Sequence, residues 1–295
     1  MRAAAILGLG RSERDLRPFR QGTPVEWIIG MPATSSDADV ILIFGGDGTI
    51  QRHLAQLVKL QLPVLVVPAG SGNDFARALH LRRVRDSLTA WKNFCSGTSH
   101  VRAIDLGVIS WLGEGAERSE QYFCSVGGVG LDAETARRAN RLPRWLRGHG
   151  GYALSLPSVL LGFDAKKMRL SQPSADRPTE FQIHSDRPTL LAAFANTSIY
   201  GGGMKIAPRA ATDDGKLDVC VIRDINKLEL FCLFPSVYFG RHLGVPQVDY
   251  FQTERLCIET DLPLDVYADG EYVCRTPIEV RVHPAALRVI VPPQC

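Results

Sequence analysis

None of the seven cysteines, at positions 95, 124, 220, 232, 257, 274 and 295, pairs with another as CxxC, and no histidine stands at metal-ligand spacing from them. That excludes a zinc motif and points to reduced thiols in a cytosolic protein. Long apolar runs are also missing. The best candidates, Tyr152–Phe163 and Leu228–Phe239, are short and each contains a proline, so no segment is expected to span a bilayer. The opening MRAAAILGLGR has a short apolar run, an immediate Arg11 and no small-residue cleavage site; it reads as a first β-strand rather than a signal peptide. Charge of one sign is scarce: 34 Lys and Arg stand against 31 Asp and Glu, a net +3. Bulk charge therefore gives no case for nucleic acid, while a basic patch on an anionic membrane stays open. No GxxxxGK[ST] occurs, and no glycine loop fits GxGxxG, which sets aside P-loop and Rossmann-type dinucleotide binding.

What is present is ordinary in amount and ordered in pattern. The 295 residues are 45% hydrophobic and 22% charged, enough for one large domain or two ordinary ones with a sizeable core. Ala3–Leu7, Val25–Ile29, Val40–Phe44 and Val64–Val67 are apolar runs of the buried parallel-strand kind. Thr49–Leu60 and Phe75–Leu81 between them have helical spacing. The expectation is an α/β N-terminal domain with a mostly parallel sheet. After about residue 103, strand-like runs follow one another: Gln121–Ser125, Lys167–Leu170, Thr179–His184, Thr189–Ala195, Leu217–Ile222, Arg255–Glu259 and Leu264–Ala268. Turn residues bound many of them. Helical segments near Leu131–Arg141, Tyr152–Leu161 and Leu228–Phe239 interrupt them, and Ala286–Val291 is a last strand. The expected division is a nucleotide-binding α/β domain over 1–103, completed by 284–295, and a β-rich, sandwich-like lipid-substrate domain over 104–283.

Two loops carry most of the chemistry. Gly45-Gly46-Asp47-Gly48-Thr49 follows the strand at 40–44, and Pro68-Ala69-Gly70-Ser71-Gly72-Asn73-Asp74 follows the strand at 64–67. Adjacent parallel strands place both loops at one carboxyl edge, where open α/β sheets bind ligands. Each loop runs into a helix whose N–H groups suit phosphate. A carboxylate inside each loop, Asp47 and Asp74, would repel polyphosphate unless Mg²⁺ lay between. The plainer alternative is tight turns with aspartates capping helices. Arg52 and His53 fit a surface position on the following helix. Tyr200-Gly201-Gly202-Gly203 is either a site loop or a plain turn. Arg137, Arg138, Arg141, Arg144 and Arg147, interleaved with Leu142, Trp145 and Leu146, form either a membrane contact or a solvated helix end.

GGDGT, PAGSGNDFAR, IDLG at 104–107, APRAATDDGKLDV at 207–219 and ADGE at 268–271 together resemble the diacylglycerol-kinase catalytic family, in the family's order, from about residue 40 onward. The resemblance implies a two-domain fold with the active site in the interdomain cleft. It implies ATP on the Gly45–Thr49 and Gly70–Asp74 loops, with Ser71 where Thr is usual, and a water-bridged Mg²⁺ network through Asp47, Asp74 and Asp105. It implies Asp269 and Glu271 as the catalytic acidic pair. It also implies a second Mg²⁺ on Asp214 with the carbonyls of Ala211 and Lys216, against a plain Asp-Gly turn. The family usually has Asn-Pro after its first strand, where this chain has Leu7-Gly8-Leu9-Gly10-Arg11-Ser12.

The leading expectation is an ATP- and Mg²⁺-dependent lipid kinase acting on a hydroxyl of a membrane lipid such as diacylglycerol. It would be cytoplasmic and peripherally bound to the membrane, without nucleic acid, with a homodimer left open. The alternatives are an NAD kinase-like enzyme, whose second motif carries Asn-Glu where Gly72-Asn73-Asp74-Phe75 stands here, and a regulator with weakened catalysis.

Overall fold

Ala3, Ala4 and Ala5 are wholly buried, and they show how the first sheet is made. Their strand, β1 (Arg2–Leu7), lies between β2 (Glu26–Ile29) and β3 (Val40–Gly45). Next to β3 comes β4 (Val64–Pro68), and then Val289 in the last strand, all parallel. Both faces of β3 are covered, which is why its run is continuously apolar rather than alternating. The computed structural model describes residues 1–22, 24–113, 117–141, 159, 162–174, 176–177 and 179–292. They fall into two compact units, Met1–Asp105 with Pro284–Cys295, and Leu106–His283.

Helices close the first unit's sheet. The four-residue α1 (Arg17–Arg20) brings in Phe19, and α2 (Asp47–Leu60) buries Ile50, Leu54, Leu57 and Val58. That spacing of i, i+4, i+7 and i+8 is one helical face. A short α3 (Asp74–Ala78) follows β4. The sequence reading contains no counterpart of α4 (Val84–Cys95), whose buried positions are Ser87, Ala90 and Trp91. Only Trp91 among them is large and apolar, so the periodic signal is weak. Tertiary bonds hold this helix instead: Ser87 Oγ donates to the Val66 carbonyl at 2.8 Å, and Trp91 Nε1 donates to the Phe19 carbonyl at 2.8 Å.

The second unit is an antiparallel sheet system around β9 (Phe181–Ala195). It comprises the later part of β5 (His100–Leu112), with β6 (Arg118–Phe123), β7 (Val126–Gly130), β8 (Lys166–Pro173) and β10 (Leu217–Arg223). To these it adds β11 (Val248–Thr253), β12 (Arg255–Thr260), β13 (Asp265–Ala268), β14 (Glu271–Arg275) and the start of β15 (Ile278–Val291). Where the sequence reads two strands broken at Asp186-Arg187-Pro188, the structure has one. Pro188 lies opposite Lys167 of β8, and β10 pairs with β9 only from Thr189 onward, so the missing N–H interrupts no ladder on that side.

Alternate residues of β9 feed two cores, as a period of two requires. Ala192 and Phe194 join Phe123, Val219 and Leu256. Leu191, Ala193 and Ala195 join Leu230, Leu233 and Val237 of α6 (Lys227–Val237). The glycines of β7 follow from the same packing, since a methyl on Gly127 would lie 2.2 Å from the Phe194 ring. Helix α5 (Leu131–Arg141) continues directly from β7, as the sequence reading expects; the segment Tyr152–Leu161, read as helical, lies largely outside the described residues. Burial pushes the thiols of Cys220 and Cys274 up to about 12 and that of half-buried Cys257 to about 11, which keeps all three protonated and unreactive. Among the described residues no helix is long and apolar enough to cross a membrane.

Candidate active site

The chain leaves β1 toward β2 on one side and returns to β3 on the other. That reversal makes the carboxyl ends of β1 and β3 the switch point of the first sheet, where such sheets bind ligands. Three loops gather in this unit. Gly8 donates its N–H to the Phe44 carbonyl at 2.8 Å, and a methyl on Gly8 would stand 2.7 Å from Thr49 Oγ1. Ala69 donates to the Gly45 carbonyl at 3.0 Å. Gly46 and Gly70 face each other so closely that a methyl on Gly70 would lie 2.4 Å from the Gly46 Cα. Backbone meets backbone there, and no side-chain movement could relieve the clash. These glycines permit contact between loops as well as tight turning.

Asp47 is the tie between the two motifs. Its Oδ2 accepts from the Asp74 N–H and its Oδ1 from the Phe75 N–H, each at 3.1 Å. A carboxylate on the first residue of α2 therefore meets the first turn of α3. This is the capping reading of Asp47, and the same bonds place its carboxylate among the glycine loops. Asn73 adopts φ 56°, a left-handed value that asparagine tolerates. Its side chain closes the second loop by accepting from the Gly70 N–H at 2.9 Å and donating to the Gly70 carbonyl at 2.7 Å. Asp74 is buried and pairs with Arg77 at 3.1 Å. Gly70 and Ser71 remain exposed, and Gly46, Gly48, Thr49 and Gly72 are half-buried. Gly46 supplies α2 with no side-chain cap, so ligand oxygens could meet that helix end.

Other expected site residues have partners of their own. Asp105, also buried, accepts from the Ala285 N–H at 2.8 Å; this fixes the chain at a left-handed residue, φ 51°. Arg11 pairs with Asp15 at 3.5 Å. On α2, Arg52 is exposed and His53 half-buried.

In the second unit, Asp269 and Gly270 form the two-residue loop between β13 and β14, with φ 50° and 82°. Paired positive φ values are those of a type I′ hairpin, which favours Asp-Gly. The turn reading of this dipeptide is therefore correct as geometry, and it positions a carboxylate. Asp269 Oδ2 accepts from the Cys124 N–H and Oδ1 from the Ser125 N–H, both at 2.8 Å; Cys124 Sγ lies 3.3 Å from Oδ2. Asn196 Nδ2 in turn donates to the Cys124 carbonyl at 3.2 Å. The carboxylate is held in one orientation by backbone 145 residues away in sequence. Glu271 opens β14, opposite Ala268, and is exposed.

The Asp214 loop is a turn with Gly215 at φ 71°. Asp214 Oδ1 accepts from the Lys216 N–H at 3.1 Å, and the Gln252 amide bridges Asp214 and Asp218 at 3.1 and 3.2 Å. Burial holds the Asp218 carboxyl above its ordinary range; bonds from Tyr250 and Gln252 oppose this, and the Asp214 charge adds to it. Ala211 is half-buried and Lys216 exposed.

The sequence reading missed a pocket within the second unit. A small cavity of about 40 Å³ is lined by Leu191, Met204, Ile206 and Ile222, by Leu230, Leu233, Phe234 and Val237 on α6, and by Leu131. The polar groups on its wall are Asp132 and Tyr200, joined by a hydrogen bond from the Tyr200 hydroxyl to Asp132 Oδ1 at 3.0 Å. Tyr200 belongs to the glycine loop singled out in the sequence. The other lining residues come from α5, β9, β10, α6 and the chain at Met204 and Ile206, a pattern that no motif marks.

Residues 29–109 match the diacylglycerol kinase catalytic domain family, and residues 125–291 match the YegS C-terminal NAD kinase beta sandwich-like domain. A diacylglycerol kinase of Mycobacterium tuberculosis is 31% identical over 266 residues, covering 88% of this chain and 79% of the relative. The chain belongs to the diacylglycerol kinase family. As a family member it is a kinase, and the motif-based resemblance is confirmed over nearly its whole length. A diacylglycerol kinase of Bacillus subtilis is 28% identical over 247 residues, 81% of this chain and 73% of the relative. Among solved structures, a diacylglycerol kinase from Bacillus anthracis superposes with TM-score 0.66 at 17% identity, covering 99% of this chain and 97% of that one. An NAD kinase from Archaeoglobus fulgidus in complex with ATP gives 0.53 at 15% identity, covering 99% and 93%. At such identities these two likenesses establish the fold, an α/β part followed by a β-sandwich part.

Proposed function

We propose that this kinase transfers the γ-phosphoryl group of ATP to a hydroxyl of a membrane lipid of the diacylglycerol kind. The observation that carries the lipid assignment is the pocket of the second unit. Its wall is apolar except for one hydrogen-bonded Asp–Tyr pair, the chemistry of an acyl chain with a polar head; at about 40 Å³ it seats a chain end, and a whole acyl chain requires the wall side chains to move apart. The loops at Gly45–Thr49 and Gly70–Asp74 would bind the nucleotide phosphates through backbone N–H groups.

Among the described residues no three His, Cys, Asp or Glu side chains gather as a metal cage. Mg²⁺ needs none when it arrives with polyphosphate, since one or two carboxylates and retained waters serve. Asp47 and Asp74 fit that donor set, with Asp105 as the further carboxylate of the proposed network. When bound, the ion would neutralise charge on the phosphates. Asp269 accepts the hydroxyl proton and orients the lipid oxygen for in-line attack, and Glu271 assists it. The two apposed carboxylates Asp214 and Asp218 fit a cation as well. We assign a second Mg²⁺ to Asp214 with the carbonyls of Ala211 and Lys216. Millimolar Mg²⁺ is then expected to raise the melting temperature of the wild type and not of Asp214→Asn; equal shifts in both would remove the assignment.

Filling the pocket tests the lipid reading. Leu233→Trp places a larger ring in the acyl space. The expected result is a rise of about tenfold in KM for a long-chain lipid, equivalent to about 1.4 kcal/mol, with the KM for ATP unchanged. Unaltered lipid kinetics in a folded Leu233→Trp protein would place the acyl chain elsewhere.

A further inference from the structure

Helix α6 is apolar on two opposite faces. Leu230, Leu233 and Val237 are buried against the pocket. Leu228, Phe231, Cys232 and Pro235 recur at i, i+3, i+4 and i+7 and make the other stripe. That stripe faces water: Leu228 is 71% exposed and Phe231 55%, and Phe239, just past the helix, is 72% exposed. A helix apolar all round is ordinarily buried, and an exposed apolar patch marks a contact surface.

Charge around the stripe narrows the choice of partner. Lys227 begins the helix. At the other end, exposed Lys205 donates its N–H to the Val237 carbonyl at 3.1 Å, and exposed Arg241 places its guanidinium 6.0 Å from the Phe239 ring. Exposed Asp224, Glu229 and Asp164, the last 3.3 Å from Lys227, are the acids beside Lys227. The acids outnumber Lys227 at the helix start, so the cationic end is that of Phe239, where Lys205 and Arg241 stand beside the apolar ridge, as in a helix that meets an anionic bilayer interface with its basic end.

We propose that the outer stripe of α6, with Phe239, docks on the surface of an anionic lipid bilayer. This rests on the lipid-substrate reading above: one helix would touch the membrane with one face and the acyl pocket with the other, so the lipid travels around a single element. Of the arginine stretch considered from the sequence, Arg137 and Arg138 both pair with Glu134, at 2.7 and 2.8 Å. Arg144 and Arg147 lie outside the described residues, as does the side chain of Arg141.

Vesicle sedimentation of the full chain tests the proposal, without ATP or acceptor. Vesicles are phosphatidylcholine alone or mixed with phosphatidylglycerol. Wild type is expected to sediment with the mixed vesicles, and Leu228→Ser/Phe231→Ser/Phe239→Ser to bind at least about tenfold more weakly. Both proteins should phosphorylate a monomeric short-chain diacylglycerol at the same rate. A polarity-sensitive fluorophore on Cys232 of the otherwise unaltered chain should shift to the blue with the mixed vesicles, a readout that does not depend on the variant folding. Equal sedimentation of the two proteins, no binding by wild type, or an unshifted fluorophore would each overturn the proposal. So would a wild-type dimer that the variant breaks while vesicle binding stays equal. If no lipid is phosphorylated in any format but sedimentation still depends on the stripe, the lipid-substrate reading fails and the docking face stands.

Discussion

Asp269→Asn is expected to lower kcat on the lipid by roughly 10²–10⁴-fold, the range for losing a general base, with little change in the KM for ATP. The structure adds a cost that the turn alone does not show. Both Asp269 oxygens accept backbone N–H groups, from Cys124 and Ser125. An asparagine keeps one oxygen and turns an NH₂ toward the other donor, which should cost about 1–3 kcal/mol of folding stability. The left-handed φ of 50° is as open to Asn as to Asp, so the hairpin should survive. Denaturant unfolding beside steady-state kinetics separates the effects: a stability loss with wild-type kcat would make Asp269 a structural anchor only. Glu271→Gln is the control, because Glu271 is exposed and its replacement should leave stability unaltered.

Asp47→Ala is expected to have the second large effect. Removing the carboxylate strips the acceptors from the Asp74 and Phe75 N–H groups, so the second loop loses its side-chain tie to the first and keeps only backbone contact through Ala69 and Gly70. Turnover with Mg·ATP should fall by several orders of magnitude, as when a metal-organising group is removed from a phosphoryl-transfer site. The KM for ATP should rise with it, and stability should drop by about 1–3 kcal/mol. Asp47→Asn retains one acceptor and should keep much of the stability while still losing turnover. Wild-type turnover in a folded Asp47→Asn protein would reduce Asp47 to a helix cap.

The parallel sheet and its two glycine loops were legible because their signals are local. An apolar run ending in glycines and an aspartate needs no distant partner to be recognised, and Val40–Gly45 and Val64–Pro68 show this. Features defined by contacts across the chain were not legible. The grip on Asp269 comes from Cys124 and Ser125, and α4 is held by bonds to Val66 and Phe19. The bar to a methyl at Gly70 comes from Gly46. In β9 the continuous ladder to β8 prevails over the turn-forming residues Asp186, Arg187 and Pro188, because Pro188 has no β10 partner to lose. Helix α6 was expected as a helix, but its two apolar faces became distinguishable only when burial separated Leu230 and Leu233 from Leu228 and Phe231.

The most direct measurement is transfer of label from γ-labelled ATP, with Mg²⁺, by the purified wild-type chain offered a panel of hydroxyl lipids in mixed micelles and, separately, NAD. The account predicts label on a lipid hydroxyl, dependent on Mg²⁺, and none on NAD. Label on NAD, or on no lipid in the panel, would contradict it.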